Sequence, residues 1–434
     1  MGTYKWSMLL QFTVGNFKSF KDRATLSLEA TADDWLQDSN VAVAGDQRLL
    51  KAAAVYGPNA GGKSNFLAAM ALFRDWVVKS SKDAQLGEKI PVTPFRLHID
   101  TESAPTFFEA IFLQNATRYR YGFESTQEAI VSEWLFSRRD SSRETRLFTR
   151  QTEAIDVSDA FKEGRGLEKR TRPNALFLSV CAQFNGEVAG EIMHWMECRF
   201  RNISGLDDPD YMAFTANKLK QEDYAGLIGE LTKKADLGIE DMRKLDMTVE
   251  DAVKTVPEGA VPEALRQAAL GGEAGFFTVK TYHRKYGADE KPAGLTEFDL
   301  KADESAGTQR FVALTGPFLH TLKQGFTLFV DEFEARLHPL LTEALLGLFN
   351  SSANSKNAQL IFATHDDRLL DAKRIRRDQV WFVEKDDFGA SRLYSLAEFK
   401  VRKEAKFAKE YLLGQFGAVP RVGDFEETLT HGRE

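Results

Sequence analysis

Apolar and polar positions alternate twice near the start of the chain, in LLQFTVGNF (9–17) and again in FKDRATLSLEA (20–30), with a short polar break between. A period of two is that of a half-buried strand, so the pattern predicts an antiparallel hairpin. KAAAVY (51–56) is instead continuously apolar, as a strand covered on both faces is. NFLAAMALFRDWVVK (65–79) spaces its apolar residues as a helix does. Between Pro91 and Arg150, TFFEAIFL, RYRYGFES and ETRLFTR predict a small antiparallel sheet with charged turns. NALFLSVCAQF (174–184) reads as an apolar return to the core with Gln183 near its strand end, and GEVAGEIMHWMECRF (186–200) as a helix. From about Asp207 to Gly272 the chain is polar and helix-rich, LKQEDYAGLIGELTKKA and PEALRQAAL being its amphipathic pieces. No heptad pattern lasts long enough there for a coiled-coil arm. FFTVKTYHRKY and LTEFDLK flank GADEKPAG as a second hairpin, and FTLFVDE (326–332) and QLIFATHD (359–366) are further apolar strands.

These elements predict an α/β fold with a mixed sheet, divided into an N-terminal lobe (8–90), an antiparallel β subdomain (91–150), a return to the core (151–206), a helical insertion (207–272) and a C-terminal lobe (273–434). A chain of 434 residues exceeds what one core usually organises. At 43% hydrophobic and 28% charged residues it has the composition of a soluble globular protein. Its 57 Lys and Arg against 64 Asp and Glu, a net charge of −7, argue against a general polyanion-coating protein and leave room for local basic patches. Cys181 and Cys198 lie in apolar surroundings without a paired spacing, which predicts free thiols in a reducing cytoplasm. No apolar run approaches the roughly 20 residues of a membrane span, and MGTYKWSMLLQF lacks the apolar stretch of a signal peptide, so a cytoplasmic protein without membrane partners is expected.

GPNAGGKS (57–64) joins the KAAAVY strand to the helix after it and has the G-x-x-x-x-G-K-S spacing of a phosphate-cradling loop. Gly57, Pro58, Asn59, Ala60, Gly61, Gly62, Lys63, Ser64 and Asn65 are therefore the nucleotide-binding set. Lys63 suits the β and γ phosphates, Ser64 suits Mg²⁺ through its hydroxyl, and the helix N-terminus lies under the anion. In FTLFVDE, Asp331 suits Mg²⁺ coordination and Glu332 the polarisation of an attacking water, although two carboxylates after a strand can also cap a helix. His365 ends QLIFATHD, where an imidazole can hydrogen-bond the γ phosphate. ESAGTQR (304–310) opens a helix with the Ser305 hydroxyl and the backbone near Gly307, a second anion site.

In order, NFKSF (16–20), GPNAGGKS, SAGTQR, LFVDE and ATHD resemble the motifs of the ABC-type ATPases of the SMC, RecF and OLD group. The resemblance implies an ABC-type P-loop NTPase head that binds ATP and Mg²⁺, with Ser305 and Gly307 closing over ATP held by another subunit. It also implies that Lys18 approaches the phosphates, and that Gln183 is the candidate coupling glutamine and metal ligand. An exposed lysine and a polar residue ending a strand are the plain alternatives. DEFEARLHP (331–339), DQVWFVEKD (378–386) and YLLGQFGAVP (411–420) look like the OLD-like ATPases of bacterial anti-phage defence, the group of AriA of the PARIS system and RloA-like proteins. That likeness implies a slowly hydrolysing sensor and scaffold that forms homo-oligomers through ATP-sandwiched heads and controls a separate nuclease or toxin effector. One departure is Glu304, where the usual signature has Leu. His338, before Pro339, reads as structural.

SRRDSSRETRLFTR (137–150) and RGLEKRTR (165–172) are Arg-rich. Such runs are usually solvated loops, and the alternative is a basic surface for an acidic phage trigger protein or for nucleic acid. A RecF-like DNA maintenance clamp shares every nucleotide motif. The net acidity and the absence of an arm count against it.

Overall fold

The computed structural model describes residues 7–139, 142–203, 209–248, 276–401, 406–420 and 423. The chain forms two compact units, the first made of Met1–Ser204, Leu322–Glu334 and Glu343–Glu434 and the second of Gly205–Thr321 and Ala335–Thr342.

The first unit is mixed α/β. Strands β1 (Ser7–Gly15) and β2 (Ala24–Ser27) form the expected hairpin. The other edge of β1 pairs antiparallel with β6 (Thr106–Gln114), Phe12 facing Ala110, and β7 (Thr117–Ser125), β8 (Ile130–Arg139), β9 (Thr145–Gln151) and β10 (Ala154–Val157) continue the sheet in sequence. The antiparallel strands expected as a subdomain from residue 91 are thus one sheet with the N-terminal hairpin, because β1 has ladder partners on both sides. A short ribbon of β3 (Val41–Ala44) and β4 (Gln47–Leu50) precedes the central sheet.

That sheet has the order β11-β15-β16-β5-β17-β18. Its strands are β5 (Ala52–Tyr56), β11 (Phe200–Ile203), β15 (Thr327–Val330), β16 (Gln359–Ala363), β17 (Val380–Lys385) and β18 (Ser391–Ser395). The pairings are parallel except at β18, which explains why AAAVY, TLFV and QLIFA are buried throughout and show no alternation. The helix Lys63–Lys79 leaves the end of β5 and packs Phe66 and Phe73 edge-on against Phe12 of β1, so the two sheets share one core. Gln359 is fully buried and bonds both the amide and the carbonyl of Leu9, at 2.7 and 2.9 Å, beside the irregularity in the β1–β6 register.

NALFLSVCAQF does not return as a strand. Phe177–Gln183 is a helix, whose first free amides, Phe177 and Leu178, donate at 2.7 and 3.0 Å to Glu133. Glu133 is buried on β8, and burial raises its pKa although Arg150, these amides and the Tyr121 hydroxyl favour the anion. Satisfying two amides of a buried helix start is what a remote carboxylate can do and local pattern cannot announce.

In the second unit, Pro209–Lys218 and Glu222–Lys234 are helices. The chain then turns to strand, β12 (Ile239–Met247), where helix was expected, because β12 gains a ladder along β13 (Phe276–Tyr286). β13 and β14 (Pro292–Asp299) are the expected hairpin. PEALRQAAL lies outside the described residues. The core of this unit joins Ala216, Ile228, Val279 and Val312, the last on the helix Ala306–Gln324.

Candidate functional site

The loop from Gly57 to Gly62 leaves the C-terminal end of β5, a place where parallel sheets commonly bind ligands. Its shape depends on close packing against β17 and β18. A Cβ on Gly57 would collide with the carbonyl oxygen of Val383, and one on Gly62 would strike Ser391 Oγ and press on Ser19 Oγ. Ser391 Oγ donates to Gly61 O at 2.7 Å, and Asn65 Nδ2 donates to Ser19 Oγ at 2.8 Å. The loop is therefore held from behind, and its open side faces a pocket.

That pocket is lined by Asn59–Asn65 of the loop and helix start, by Asp331 and Glu332 after β15, and by Ala363, Thr364 and His365 at the end of β16. Lys63 is buried, with Nζ donating to Gly57 O at 2.9 Å and Pro58 O at 3.2 Å. Burial lowers its pKa, and Asp331, Glu334 and Glu332 oppose that. Asp331 Oδ1 accepts the Glu332 amide at 3.1 Å, and Glu332 has φ 49°, a left-handed conformation that a non-glycine residue adopts at a cost of about 1–3 kcal/mol. Phe333 fixes this turn, its amide donating to Ala363 O at 3.1 Å and its ring lying 4.7 Å from that of Phe362. The His365 amide donates to Glu334 at 2.6 Å. The imidazole has a pKa below the ordinary 6.5, first through burial and then through the charge of Lys63, so near neutral pH it is an uncharged donor and acceptor.

The structure thus gathers Asn59, Ala60, Gly61, Gly62, Lys63, Ser64, Asn65, Asp331, Glu332 and His365 around one pocket, with Gly57 and Pro58 at its root. It does not bring Lys18 to the lining: Lys18 is exposed at φ 49°, while its neighbour Ser19 braces the loop. Nor does it bring Gln183. Ser179 of that helix meets Ser81, beyond the C-terminal end of Lys63–Lys79, at 2.8 Å. A 17-residue helix spans about 25 Å, so Gln183, one turn past Ser179, lies at the wrong end to meet Ser64.

Ser305 and Gly307 belong to the second unit, and the pocket's lining is drawn wholly from the first. Ser305 caps the helix Ala306–Gln324, its Oγ accepting from the Thr308 amide at 3.1 Å. Glu304, the departure from the usual signature, is held by Thr281 Oγ1 and His283 Nε2 of β13, both at 2.6 Å. His338 accepts the Leu340 amide at 3.3 Å, a local structural contact. Among the arginines, Arg150 is buried and bonds Ala175 O at 2.7 Å, Arg146 pairs with Asp156 at 2.6 Å and Arg165 pairs with Asp159. The basic surface is smaller than the Arg-rich sequence suggests.

Ser19, Glu334 and Ser391 escaped the sequence reading, since each acts on the loop or strand end from a distant segment. Among the described residues no group of three or more His, Cys, Asp and Glu is placed to hold a metal, and no helix is long and apolar enough to cross a membrane.

Residues 52–371 match the family described as "AAA domain, putative AbiEii toxin, Type IV TA system". No protein of curated function matches in sequence. Among solved structures, the SMC head domain from Thermotoga maritima is similar at 13% identity over 89% of this chain and 98% of that one, with a TM-score of 0.39. An SMC head bound to the C-winged helix domain of ScpA is similar at 14% identity over 89% and 97%, with a TM-score of 0.44.

Proposed function

The chain belongs to the family of AAA domains described as putative AbiEii toxins of type IV TA systems, and from that premise we propose that it is a Mg²⁺-dependent ATPase serving as the sensor and scaffold subunit of a bacterial anti-phage defence system. The observation that carries the ATPase reading is the convergence of Lys63, Ser64, Asp331, Glu332 and His365, from three distant segments, on one pocket. Lys63 serves the β and γ phosphates. Glu332 is the base that orients the attacking water, and its strained backbone fits a residue held for function. Neutral His365 donates to the γ phosphate.

One hydroxyl and one carboxylate, Ser64 and Asp331, line the pocket together and fit a hard cation such as Mg²⁺, which keeps waters and takes phosphate oxygens for its other positions. When bound, the ion neutralises phosphate charge.

The finer reading is an OLD-like protein of the AriA and RloA kind, whose heads pair around ATP through Ser305 and Gly307 in trans and whose joined state grips or releases a separate effector. The family description supports a place in abortive infection. The test is phosphate release by the purified protein, followed by co-purification from the native operon with and without ATP. ATP turnover with a nucleotide-dependent partner supports both levels. A lone protein that binds duplex DNA tightly, with affinity falling steeply as salt rises, overturns the scaffold reading in favour of a RecF-like clamp.

A further inference from the structure

Glu334 lies outside the lining of the pocket yet touches it. It follows Asp331, Glu332 and the pinned Phe333, and Oε1 accepts the backbone amide of His365 at 2.6 Å. Oε2 is buried and has no hydrogen-bond partner among the described residues. A buried carboxylate oxygen left without a donor is unfavourable unless charge compensates it. The compensating charge is at hand in Lys63, on which Glu334 acts more strongly than any carboxylate except Asp331, and among carboxylates Glu334 acts most strongly on His365.

We propose that Glu334 is a positioning residue of the nucleotide pocket, which fixes the end of β16 through the His365 amide and so sets where the imidazole stands relative to the phosphate loop. The hydrogen bond ties the turn after β15 to the turn after β16, the two segments that carry Glu332 and His365. Strand pairing stops short of the histidine: Ala363 pairs with Val55 of β5, the Thr364 amide donates to Val55 O at 3.1 Å and the Phe333 amide to Ala363 O at 3.1 Å, so at His365 the backbone amide is held by Glu334 instead. This inference rests on the ATPase reading for its effect on rate and is independent of it for its effect on structure.

The experiment uses the full chain with Glu334→Ala, Glu334→Gln, His365→Ala and the Glu334→Ala/His365→Ala double variant. Hydrogen exchange across Thr364–Asp366 is measured without nucleotide, and single-turnover ATP hydrolysis at saturating ATP. In Glu334→Ala, exchange should quicken by about tenfold or more. Its hydrolysis should slow by about tenfold while ATP affinity changes less than about threefold. Glu334→Gln, whose side-chain carbonyl accepts the same amide, should recover most of both, and the double variant should be no slower than His365→Ala. Unchanged exchange in Glu334→Ala, full additivity in the double variant, or a Glu334→Gln protein as impaired as Glu334→Ala each overturns the proposal. Should Glu334→Ala fail to fold, Glu334→Gln against wild type carries the comparison. A wild-type protein that hydrolyses no ATP refutes the ATPase reading, and the exchange data still decide whether Glu334 holds the strand end.

Discussion

Ser391 donates its hydroxyl to the carbonyl of Gly61 at 2.7 Å, bonding the edge strand of the central sheet to the apex of the phosphate loop. The Ser391 amide also donates to Ser19 O at 2.7 Å, and Ser19 Oγ accepts from Asn65. Two distant segments, around Ser19 and Ser391, therefore share the load of one loop. Removing the hydroxyl leaves Gly61 O, in a buried setting, without this donor. Ser391→Ala should keep the fold and weaken ATP binding by about threefold to tenfold, which corresponds to roughly 1 kcal/mol for one hydrogen bond. Calorimetric titration with ATP is the measurement, and unchanged affinity means the loop holds its shape without the brace.

Lys63 and Glu332 should fail differently. Lys63→Ala removes the buried ammonium that the loop carbonyls now hold, and it should weaken nucleotide binding itself. Glu332→Gln leaves that contact and Asp331 in place, so it should bind ATP normally and hydrolyse it more than about tenfold slower. Near wild-type phosphate release by purified Glu332→Gln protein would falsify the assignment of the base.

The pocket was legible in sequence where chemistry ends an apolar run. β5 stops at the loop, β15 at Asp331 and Glu332, and β16 two residues before His365, so position along a strand predicted position in the site. The supports were not legible, because Ser391 meets Gly61 across 330 residues and Glu334 meets His365 across 31, with no local periodicity marking either. Long-range satisfaction also explains one of the elements that differed, since the helix start at Phe177 draws its acceptor from Glu133 on β8. Arg150 misled for the same reason. It reads as surface charge in an Arg-rich run, and in the fold it is buried against backbone carbonyls.

Ser305 can be tested apart from the pocket. Its hydroxyl caps a helix in the second unit, and Glu304 before it is already anchored by β13. If heads pair, Ser305→Arg should abolish ATP-dependent association while leaving nucleotide binding by the isolated chain intact. Mixing it with Lys63→Ala protein should restore at most one intact composite site per dimer. Light scattering with and without ATP reads this directly, and association unchanged by Ser305→Arg sinks the paired-head reading.

The depressed pKa of His365 has a definite sign. Because the folded protein holds the imidazole below 6.5, the unfolded chain takes up the proton more readily, so this group's penalty on stability is absent above 6.5 and grows as pH falls toward the folded value. Bound phosphate adds negative charge beside Lys63, Glu334, Glu332 and Asp331 and should raise the imidazole again. ATP binding near pH 6 should therefore be coupled to proton uptake that His365→Gln lacks. Calorimetry in two buffers of different ionisation enthalpy gives the proton number, and equal numbers for wild type and variant remove His365 from the phosphate.

The C-terminal segment should also bear on the site, through Tyr411. Its ring lies 5.8 Å from that of Tyr56, the residue before Gly57, and stacks at 5.4 Å on Phe382 of β17. Its hydroxyl donates to Ala418 O at 3.0 Å, and the Ala418 amide donates to Glu384 at 2.7 Å, which closes the segment onto β17. Tyr56 in turn donates to the carbonyl of Asp366, the residue after His365, at 3.2 Å. The ring of Tyr411 thus backs a side chain that spans from the root of the loop to the far side of the pocket. Tyr411→Phe loses one hydrogen bond and keeps the ring, so it should cost about 1 kcal/mol of stability with ATP affinity unchanged. Tyr411→Ala opens a cavity beside Tyr56 and should cost about 3–5 kcal/mol, as truncation of a buried aromatic does. It should also loosen ATP binding, because Tyr56 loses the surface that holds it against Asp366. Denaturant melts and ATP titrations of both variants separate the two effects. If Tyr411→Ala is destabilised yet binds ATP as tightly as Tyr411→Phe, the segment supports the fold and not the site.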